Sequence, residues 1–328
     1  MSLSDNEVRD DLAPALLPKP GAPSATSPPP GVRVDRLIVK TKAGFALDVQ
    51  DLSLAAGETV AIVGANGAGK TTLLEALLGL RKTDVAEGGI GEASLQAWAR
   101  SPRLRRRMGV LLQRTALPFG LRVRDVLDLH RRIYGSQAQA VLEALDVPRM
   151  RNFNYDWLSR GQRQRVDLVM ALAHRPDLIL LDEPFTGLDQ QFATATHHLL
   201  SGMSSATVLL ACHSAHELSL ADRMLWMRDG RVAAFAPPAT LVKDMLGEYA
   251  LKVSLHDAAS AERLRARAQG AVRLIHAPRP EQLHLFGGSD LETLAHALIG
   301  EPAIASVEFG AASYTDLLHV CALGDTHA

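Results

Sequence analysis

The feature that most constrains the fold is a glycine-rich loop directly after a short apolar segment. Val60-Ala61-Ile62-Val63 is a continuous apolar run, typical of a strand buried on both faces. It leads into Gly64-Ala65-Asn66-Gly67-Ala68-Gly69-Lys70-Thr71, which matches the pattern G-x-x-x-x-G-K-[ST]. Thr72–Leu80 then has a helical pattern. A strand, this loop and a helix in that order predict a Walker A phosphate-binding loop in an α/β protein.

The residue types of this loop suit phosphate chemistry. Glycines let consecutive backbone N–H groups turn toward phosphate oxygens, and the N-terminus of the following helix adds partial positive charge. We expect Lys70 to reach the β- and γ-phosphates and Thr71 to place its hydroxyl on Mg²⁺. The predicted ATP-binding residues of the loop are Gly64, Asn66, Gly67, Ala68, Gly69, Lys70, Thr71 and Thr72.

A second apolar segment, Leu178–Leu181, ends in the acidic pair Asp182 and Glu183. Ligands of open α/β sheets bind beyond the carboxyl ends of the strands, where both carboxylates would lie. We expect Asp182 to enter the coordination sphere of Mg²⁺ and Glu183 to polarise a water molecule against the γ-phosphate.

A further motif precedes this acidic pair and narrows the class of P-loop proteins to which the chain can belong. It is Leu158-Ser159-Arg160-Gly161-Gln162. Together with both phosphate-site motifs, it makes the chain from Val32 to about Gly247 resemble the ATP-binding cassette (ABC) ATPases, whose signature is L-S-G-G-Q. The other matching elements stand in the family's order: Gln113 after strand Met108–Leu112, Thr186-Gly187-Leu188-Asp189, and His213 after strand Thr207–Ala211.

The resemblance implies a head-to-tail dimer that encloses two ATP molecules between the Walker A loop of one chain and the signature of the other. Ser159, Gly161 and Gln162 would hold the γ-phosphate bound by the partner, and Asp189 would bridge the interface. Gln113 would sense Mg²⁺ and the attacking water, and His213 would contact the γ-phosphate. The implied catalytic residues are Glu183, His213 and Gln113, and the implied Mg²⁺ ligands are Thr71, Gln113 and Asp182.

Two positions depart from the family pattern. Arg160 replaces the first glycine of the signature, and both a solvated side chain and a role in charge stabilisation stay open. Family members usually stack adenine on an aromatic residue about twenty positions before the Walker A loop, which here falls near Thr41. Phe45 is close by, but its alternation with neighbouring residues favours a place in the core.

Helices alternating with buried strands predict an α/β fold. In the terms of the family, this is a P-loop ABC ATPase domain with a parallel core sheet, an antiparallel β subdomain and a helical subdomain. We predict three parts: a disordered, Pro-rich tail over residues 1–31, the nucleotide-binding domain over 32–247, and a small C-terminal α+β domain over 248–328. The last part has the order strand, helix, strand, strand, helix, strand of a ferredoxin-like module, followed by a helix over Ser313–Leu323.

Composition limits the classes of partner. The net charge of −1 and the low aromatic content of 5% disfavour nucleic acid, which usually binds basic surfaces. No apolar run approaches the ~18 residues that span a bilayer. Two cysteines, Cys212 and Cys321, suit a reducing cytosol rather than a disulfide scaffold.

The motifs favour the ATPase subunit of a transporter whose integral membrane permease is a separate chain, bound at the cytoplasmic face of the inner or plasma membrane. The stretch from Leu121 to Gly135 resembles exporter-type ATPases, so export is the predicted direction. The alternatives are a soluble ABC ATPase acting on ribosomes or DNA and a regulatory module without turnover. A single cassette and the complete set Glu183, Gln113 and His213 disfavour them.

Overall fold

The computed structural model describes residues 29–40, 44, 46–113, 117–135, 137–270 and 272–323. Most of the predicted N-terminal tail lies outside these residues. Pro30 is buried, and its carbonyl accepts a hydrogen bond from the Thr207 hydroxyl at 2.9 Å. Packing therefore begins slightly before the predicted boundary at Val32.

Strands and helices alternate through most of the first part of the chain. The strands are β1 (Val32–Lys40), β2 (Ala46–Leu54), β3 (Thr59–Val63), β4 (Val85–Ile90), β5 (Ala93–Ser94), β6 (Met108–Leu111), β7 (Leu178–Asp182), β8 (Thr207–Ala211), β9 (Arg223–Arg228) and β10 (Arg231–Ala236). The helices are α1 (Lys70–Leu77), α2 (Leu95–Arg100), α3 (Pro102–Arg105), α4 (Val123–Tyr134), α5 (Gln139–Ala144), α6 (Arg160–Leu172), α7 (Gln190–Ser201), α8 (Ala215–Leu218) and α9 (Pro238–Leu241).

Two sheets organise these elements. The central sheet has the order β10-β9-β3-β8-β7-β6, and its strands are parallel except for the antiparallel edge strand β10. The second sheet, β2-β1-β4-β5, is antiparallel. Every residue of β7 and β8 is buried, as expected for parallel strands covered on both faces. The predicted combination of a parallel core sheet, an antiparallel sheet and a helical region is confirmed.

Element boundaries differ locally from the predictions. The helix predicted at Thr72–Leu80 spans Lys70–Leu77. Residues Ala46–Leu54 form one continuous strand, β2, because β1 pairs with it along its whole length. Two helices, α4 and α5, lie between Val123 and Leu145 because Gly135, whose φ is +84°, ends α4.

The last part of the chain forms a third, antiparallel sheet with the order β12-β13-β11-β14. Its elements are β11 (Tyr249–Leu255), α10 (Ala258–Ala268), β12 (Leu274–Arg279), β13 (Gln282–Gly287), α11 (Asp290–Leu298), β14 (Ile304–Ala311) and α12 (Tyr314–Leu323). This order of elements and strands is that of the predicted ferredoxin-like module.

Helices cover the third sheet differently on its two faces. Apolar side chains of α10 and α11 pack with Leu251, Leu285 and their neighbours in a core of their own. The buried side chains of α12 instead join the large core of the first part, which contains Leu218 of α8 and Leu246. The last helix therefore returns to pack on the part that holds the central sheet.

No helix within the described ranges combines the length and the apolar character needed to cross a bilayer.

Candidate nucleotide-binding site

The central sheet gathers the predicted functional residues at one edge. The Walker A loop follows β3, Gln113 follows β6, Glu183 follows β7 and His213 follows β8. These four strands are parallel neighbours, so their carboxyl ends meet at the same edge of the sheet.

The Walker A loop is a tight structure that requires its glycines. A Cβ added at Gly64 would lie 2.3 Å from the carbonyl oxygen of Met227, and Gly67 and Gly69 have φ values of +85° and +106°. The Lys70 ammonium donates hydrogen bonds to the carbonyls of Gly64 at 2.7 Å and Ala65 at 3.1 Å. Its side chain is buried, and burial lowers the pKa of Lys70 while Glu183 and Asp182 oppose that shift.

Thr71 and Asp182 form the cation-binding part of the site. The Thr71 hydroxyl donates to Oδ2 of Asp182 at 2.6 Å, while Oδ1 of Asp182 is buried and has no hydrogen-bond partner. Burial raises the pKa of the Asp182 carboxyl, and the neighbouring Glu183 adds to this rise against the hydrogen bond from Thr71. A hydroxyl and an unsatisfied carboxylate oxygen are donors that Mg²⁺ prefers, so the residues fit this cation.

Glu183 is the centre of a hydrogen-bond group. Its Oε1 accepts a bond from the Gln113 amide at 3.2 Å and lies 3.0 Å from Nε2 of His213, and its Oε2 accepts from the Thr186 hydroxyl at 3.3 Å. Three side chains, from the ends of β6 and β8 and from the loop of Glu183 itself, thus hold one carboxylate. Gln113 contacts Glu183 here, and its predicted role as a Mg²⁺ ligand stays a prediction.

The signature forms the start of α6. Ser159 is the N-cap residue: its hydroxyl accepts from the backbone N–H of Gln162 at 3.2 Å, and the Gln162 side chain accepts from the N–H of Ser159 at 3.0 Å. A Cβ added at Gly161 would lie 2.5 Å from the carbonyl oxygen of Gly187. Gly161 therefore allows α6 to approach the Thr186–Asp189 loop closely.

Arg160 is exposed, and its aliphatic stem lies against Gly187, where a Cβ would be 3.1 Å from Cγ. Asp189 caps α7 by accepting from the backbone N–H of Phe192 at 3.0 Å. Among the described residues, no hydrogen bond or ion pair joins the signature group or Asp189 to the Walker A loop.

A cleft of about 830 Å³ lies beside Gly67 of the Walker A loop. The β1–β2 hairpin and the β9–β10 turn line it, with basic residues that include Arg36, Lys40 and Arg231. Thr41 and Phe45, the positions considered for adenine stacking, lie outside the described residues.

The structure also adds Gln164 and Thr186 to the site, neither of which was among the predicted site residues. Gln164 lies four positions after Arg160, on the same face of α6, and its amide donates to the carbonyls of Glu183 and Pro184. Helical spacing from the signature is the signal that could have identified it.

Comparisons with known proteins agree with this geometry. The family described as ABC transporter matches residues 47–186. The aliphatic sulfonates import ATP-binding protein SsuB 3 of Paraburkholderia xenovorans is 36% identical over 247 residues, which cover 73% of this chain and 92% of that protein. The Nod factor export ATP-binding protein I of Burkholderia lata is 31% identical over 275 residues, which cover 77% of this chain and 89% of that protein.

Solved structures show the same fold. An ATP-binding subunit of an ABC transporter has a TM-score of 0.57 at 23% identity and covers 65% of this chain and 92% of that chain. A dimeric ATP-binding cassette bound to ADP and Pi has a TM-score of 0.53 at 24% identity and covers 63% of this chain and 98% of that chain.

Proposed function

The chain belongs to the ABC transporter family of ATPases, and from this premise we propose that it couples ATP-driven dimerisation to a separate membrane permease. It binds ATP with Mg²⁺ and hydrolyses the nucleotide. The observation that carries the proposal is the position of the Glu183 carboxylate, held by Gln113, His213 and Thr186 beside Lys70 and Asp182.

In the proposed mechanism Glu183 is the general base. Its Oε1 accepts a proton from the attacking water, and the nearby Nε2 of His213 orients this carboxylate and contacts the γ-phosphate. Thr71 and Asp182 would hold Mg²⁺, which neutralises negative charge on the phosphates when it is bound. When ATP binds, the Lys70 ammonium would replace its hydrogen bonds to the carbonyls of Gly64 and Ala65 with hydrogen bonds to phosphate oxygens.

The second half of each site comes from a partner copy in this proposal. Ser159, Gly161 and Gln162 present the N-terminus of α6 to the γ-phosphate bound by the partner, and Asp189 bridges the two chains. The partial positive charge of a helix N-terminus favours an anion there.

The permease would dock on apolar side chains near the signature. Phe119 and Trp157 are 87% and 82% exposed, and Leu121 is partly buried. Tyr155, two positions before Trp157, is buried and donates a hydrogen bond to Asp167 at 2.6 Å, so it belongs to the core and not to this surface. Aromatic side chains are enriched at protein–protein interfaces, which supports a role of Phe119 and Trp157 in docking.

This proposal places the protein at the cytoplasmic face of the inner or plasma membrane, attached through its permease. The proposed division of the chain is a tail over 1–31, a nucleotide-binding domain over 32–247 and a C-terminal domain over 248–328. The buried Pro30 moves the first of these boundaries slightly toward the N-terminus.

The direction of transport has two candidates. Export is the prediction from the stretch between Leu121 and Gly135, and an export ATP-binding protein is among the relatives. Import is favoured by relatives whose names describe sulfonate and sulfate import. Co-purification from solubilised membranes would identify the permease, and reconstituted vesicles would then show to which side substrate moves. Recovery of ribosomes or DNA in place of a permease would favour the soluble alternative.

The Glu183→Gln variant tests the catalytic part of the proposal. We expect ATP binding to persist and turnover to fall by about 10²–10⁴-fold, the usual contribution of a general base. ATPase assays measure the rate, and light scattering in the presence of ATP measures the trapped dimer. Glu143→Gln, a change at an exposed carboxylate of α5, is the matched control. A normal rate in the Glu183→Gln protein would remove Glu183 from this role.

A further inference from the structure

Gln164 connects α6 to the backbone around the catalytic carboxylate. Its Nε2 donates to the carbonyl oxygen of Pro184 at 2.8 Å and to that of Glu183 at 3.3 Å. The side chain is half-buried and comes from a different element than the residues it contacts.

The backbone at Glu183 needs such support. Its φ of +51° lies in the left-handed region, which costs free energy for every residue except glycine. Residues in this region persist when surrounding contacts determine their conformation, and they cluster at functional sites. Within its own loop, the Glu183 carbonyl accepts one further bond, from the N–H of Thr186 at 3.2 Å.

Two other residues of α6 reach the same loop. Gly161 lies close to the carbonyl of Gly187, and the stem of Arg160 covers Gly187. The helix therefore contacts the loop on both sides of Thr186, the residue that bonds Oε2 of Glu183. Gln164 is the member of this group that contacts the backbone of Glu183 itself.

We propose that Gln164 is a positioning residue for Glu183. Its amide holds the left-handed backbone, so that the carboxylate points at Gln113 and His213. The inference rests on the proposed role of Glu183 as general base. Gln164 and the signature lie on the same helix, α6. A shift of α6, caused by contact of the signature with the nucleotide of a partner chain, would therefore move the Glu183 carboxylate of the same chain.

The Gln164→Met variant tests this role, since methionine has a similar size and shape but no donor. We expect kcat for ATP hydrolysis to fall by about 10- to 100-fold, because small misplacements of a reacting group cost this much. The KM for ATP and the affinity measured by calorimetry should change less than about twofold, since the Gln164 amide bonds the carbonyls of Glu183 and Pro184 and not the Walker A loop. Gln139→Met is the control: that exposed amide bonds only Glu143 on its own helix.

A second variant separates positioning from general damage to the fold. In Gln164→Glu the carboxylate cannot donate at neutral pH, whereas the protonated carboxyl donates one hydrogen bond. The activity of this variant relative to the unchanged protein should therefore rise as the pH is lowered. A constant ratio, or an unchanged kcat in Gln164→Met, would overturn the inference.

The double variant Gln164→Met, Glu183→Gln shows whether Gln164 acts through Glu183. We expect it to hydrolyse ATP at the residual rate of Glu183→Gln alone, because residues that act as a unit are not additive. An additional tenfold loss would contradict the inference. If Glu183→Gln alone keeps the full rate, the proposed base is wrong, and this outcome is distinct from a failure at Gln164.

Discussion

Lys70 bonds the carbonyls of Gly64 and Ala65, oxygens of the same loop that is to receive phosphate. A buried ammonium without partners would be costly, so the loop satisfies its own lysine. Phosphate oxygens must replace these carbonyls, and they do so favourably because they carry full negative charge.

At this scale we predict that Lys70→Ala weakens ATP binding by about 10- to 100-fold, the value of a hydrogen bond to a charged group. Titration calorimetry with ATP and Mg²⁺ measures the change. Lys82→Ala, at an exposed position after α1, should bind as the unchanged chain does. Equal affinities in both variants would contradict the assignment of the loop.

Much of the site could be predicted at the level of single residues, because each motif has a fixed chemistry. Glu183, Gln113 and His213 come together as the order of motifs implies. For Gln164, helical spacing predicts only that it shares a face of α6 with Arg160. Its bonds to the carbonyls of Glu183 and Pro184 depend on the turn that the chain makes at Pro184 and on the distance between α6 and that turn.

At the scale of elements, a buried chain of hydrogen bonds joins α4 to the central sheet. Nε2 of His174 lies 3.0 Å from the carbonyl of Met108, so it must donate. Nδ1 of His174 then accepts from Nε2 of His130 at 3.2 Å, and Nδ1 of His130 accepts from the Gln137 amide at 3.1 Å. Each imidazole ring thus has one donor nitrogen and one acceptor nitrogen, which is the neutral form. Burial lowers the pKa of each histidine to about 4.

This arrangement predicts a pH-dependent stability. Between pH 6.5 and 4 the unfolded histidines bind protons that the folded ones do not, so their stabilising contribution is complete above pH 6.5 and declines as the pH falls. His130 alone should lose about 1 kcal/mol between pH 7.5 and 5.5. Urea unfolding measures the free energy of unfolding at both pH values. The difference between the two values should be about 1 kcal/mol smaller in the His130→Gln variant than in the unchanged protein. Identical pH dependence in the two proteins would contradict the prediction.

The contact between α6 and the Thr186–Asp189 loop gives a second prediction for an element. In Gly161→Ala the added Cβ would meet the Gly187 carbonyl at 2.5 Å, so one of the two elements must move. We expect a loss of about 1–3 kcal/mol in the free energy of unfolding, as for other overpacked sites. Gly310→Ala, where nothing lies within 4 Å, should change it by less than about 0.5 kcal/mol.

At the scale of the whole molecule, α12 packs on the core that holds the central sheet, although in the sequence it directly follows the strands of the third sheet. The sequence pattern predicts a helix over Ser313–Leu323, but it does not specify the surface on which the apolar side chains of that helix pack. Here Leu317, Leu318 and Cys321 are buried in the core that contains Leu218 and Leu246. The Lys252 ammonium, on the third sheet, pairs with the Asp316 carboxylate at 2.9 Å, so α12 contacts that sheet as well.

We therefore expect Leu317→Ala to destabilise the chain as a whole. Removing this fully buried side chain should cost about 2–5 kcal/mol. Calorimetry should show one transition at a lower temperature, because α12 and the central sheet share a core. Leu80→Ala, at a leucine that is 62% exposed, is the control. A lowered transition of the third sheet alone would show that the parts unfold independently.

The placement of α12 also has a consequence for synthesis. The core that it completes begins at Ala61, yet Leu317 is added to the growing chain on the order of tens of seconds later at ordinary translation rates. Throughout that interval the apolar surface around Leu218 and Leu246 lacks its cover. Nascent chains that stop before residue 314 carry this surface into solution and become substrates for chaperones or aggregation. Synthesis of α12 therefore covers the last exposed apolar surface of this core.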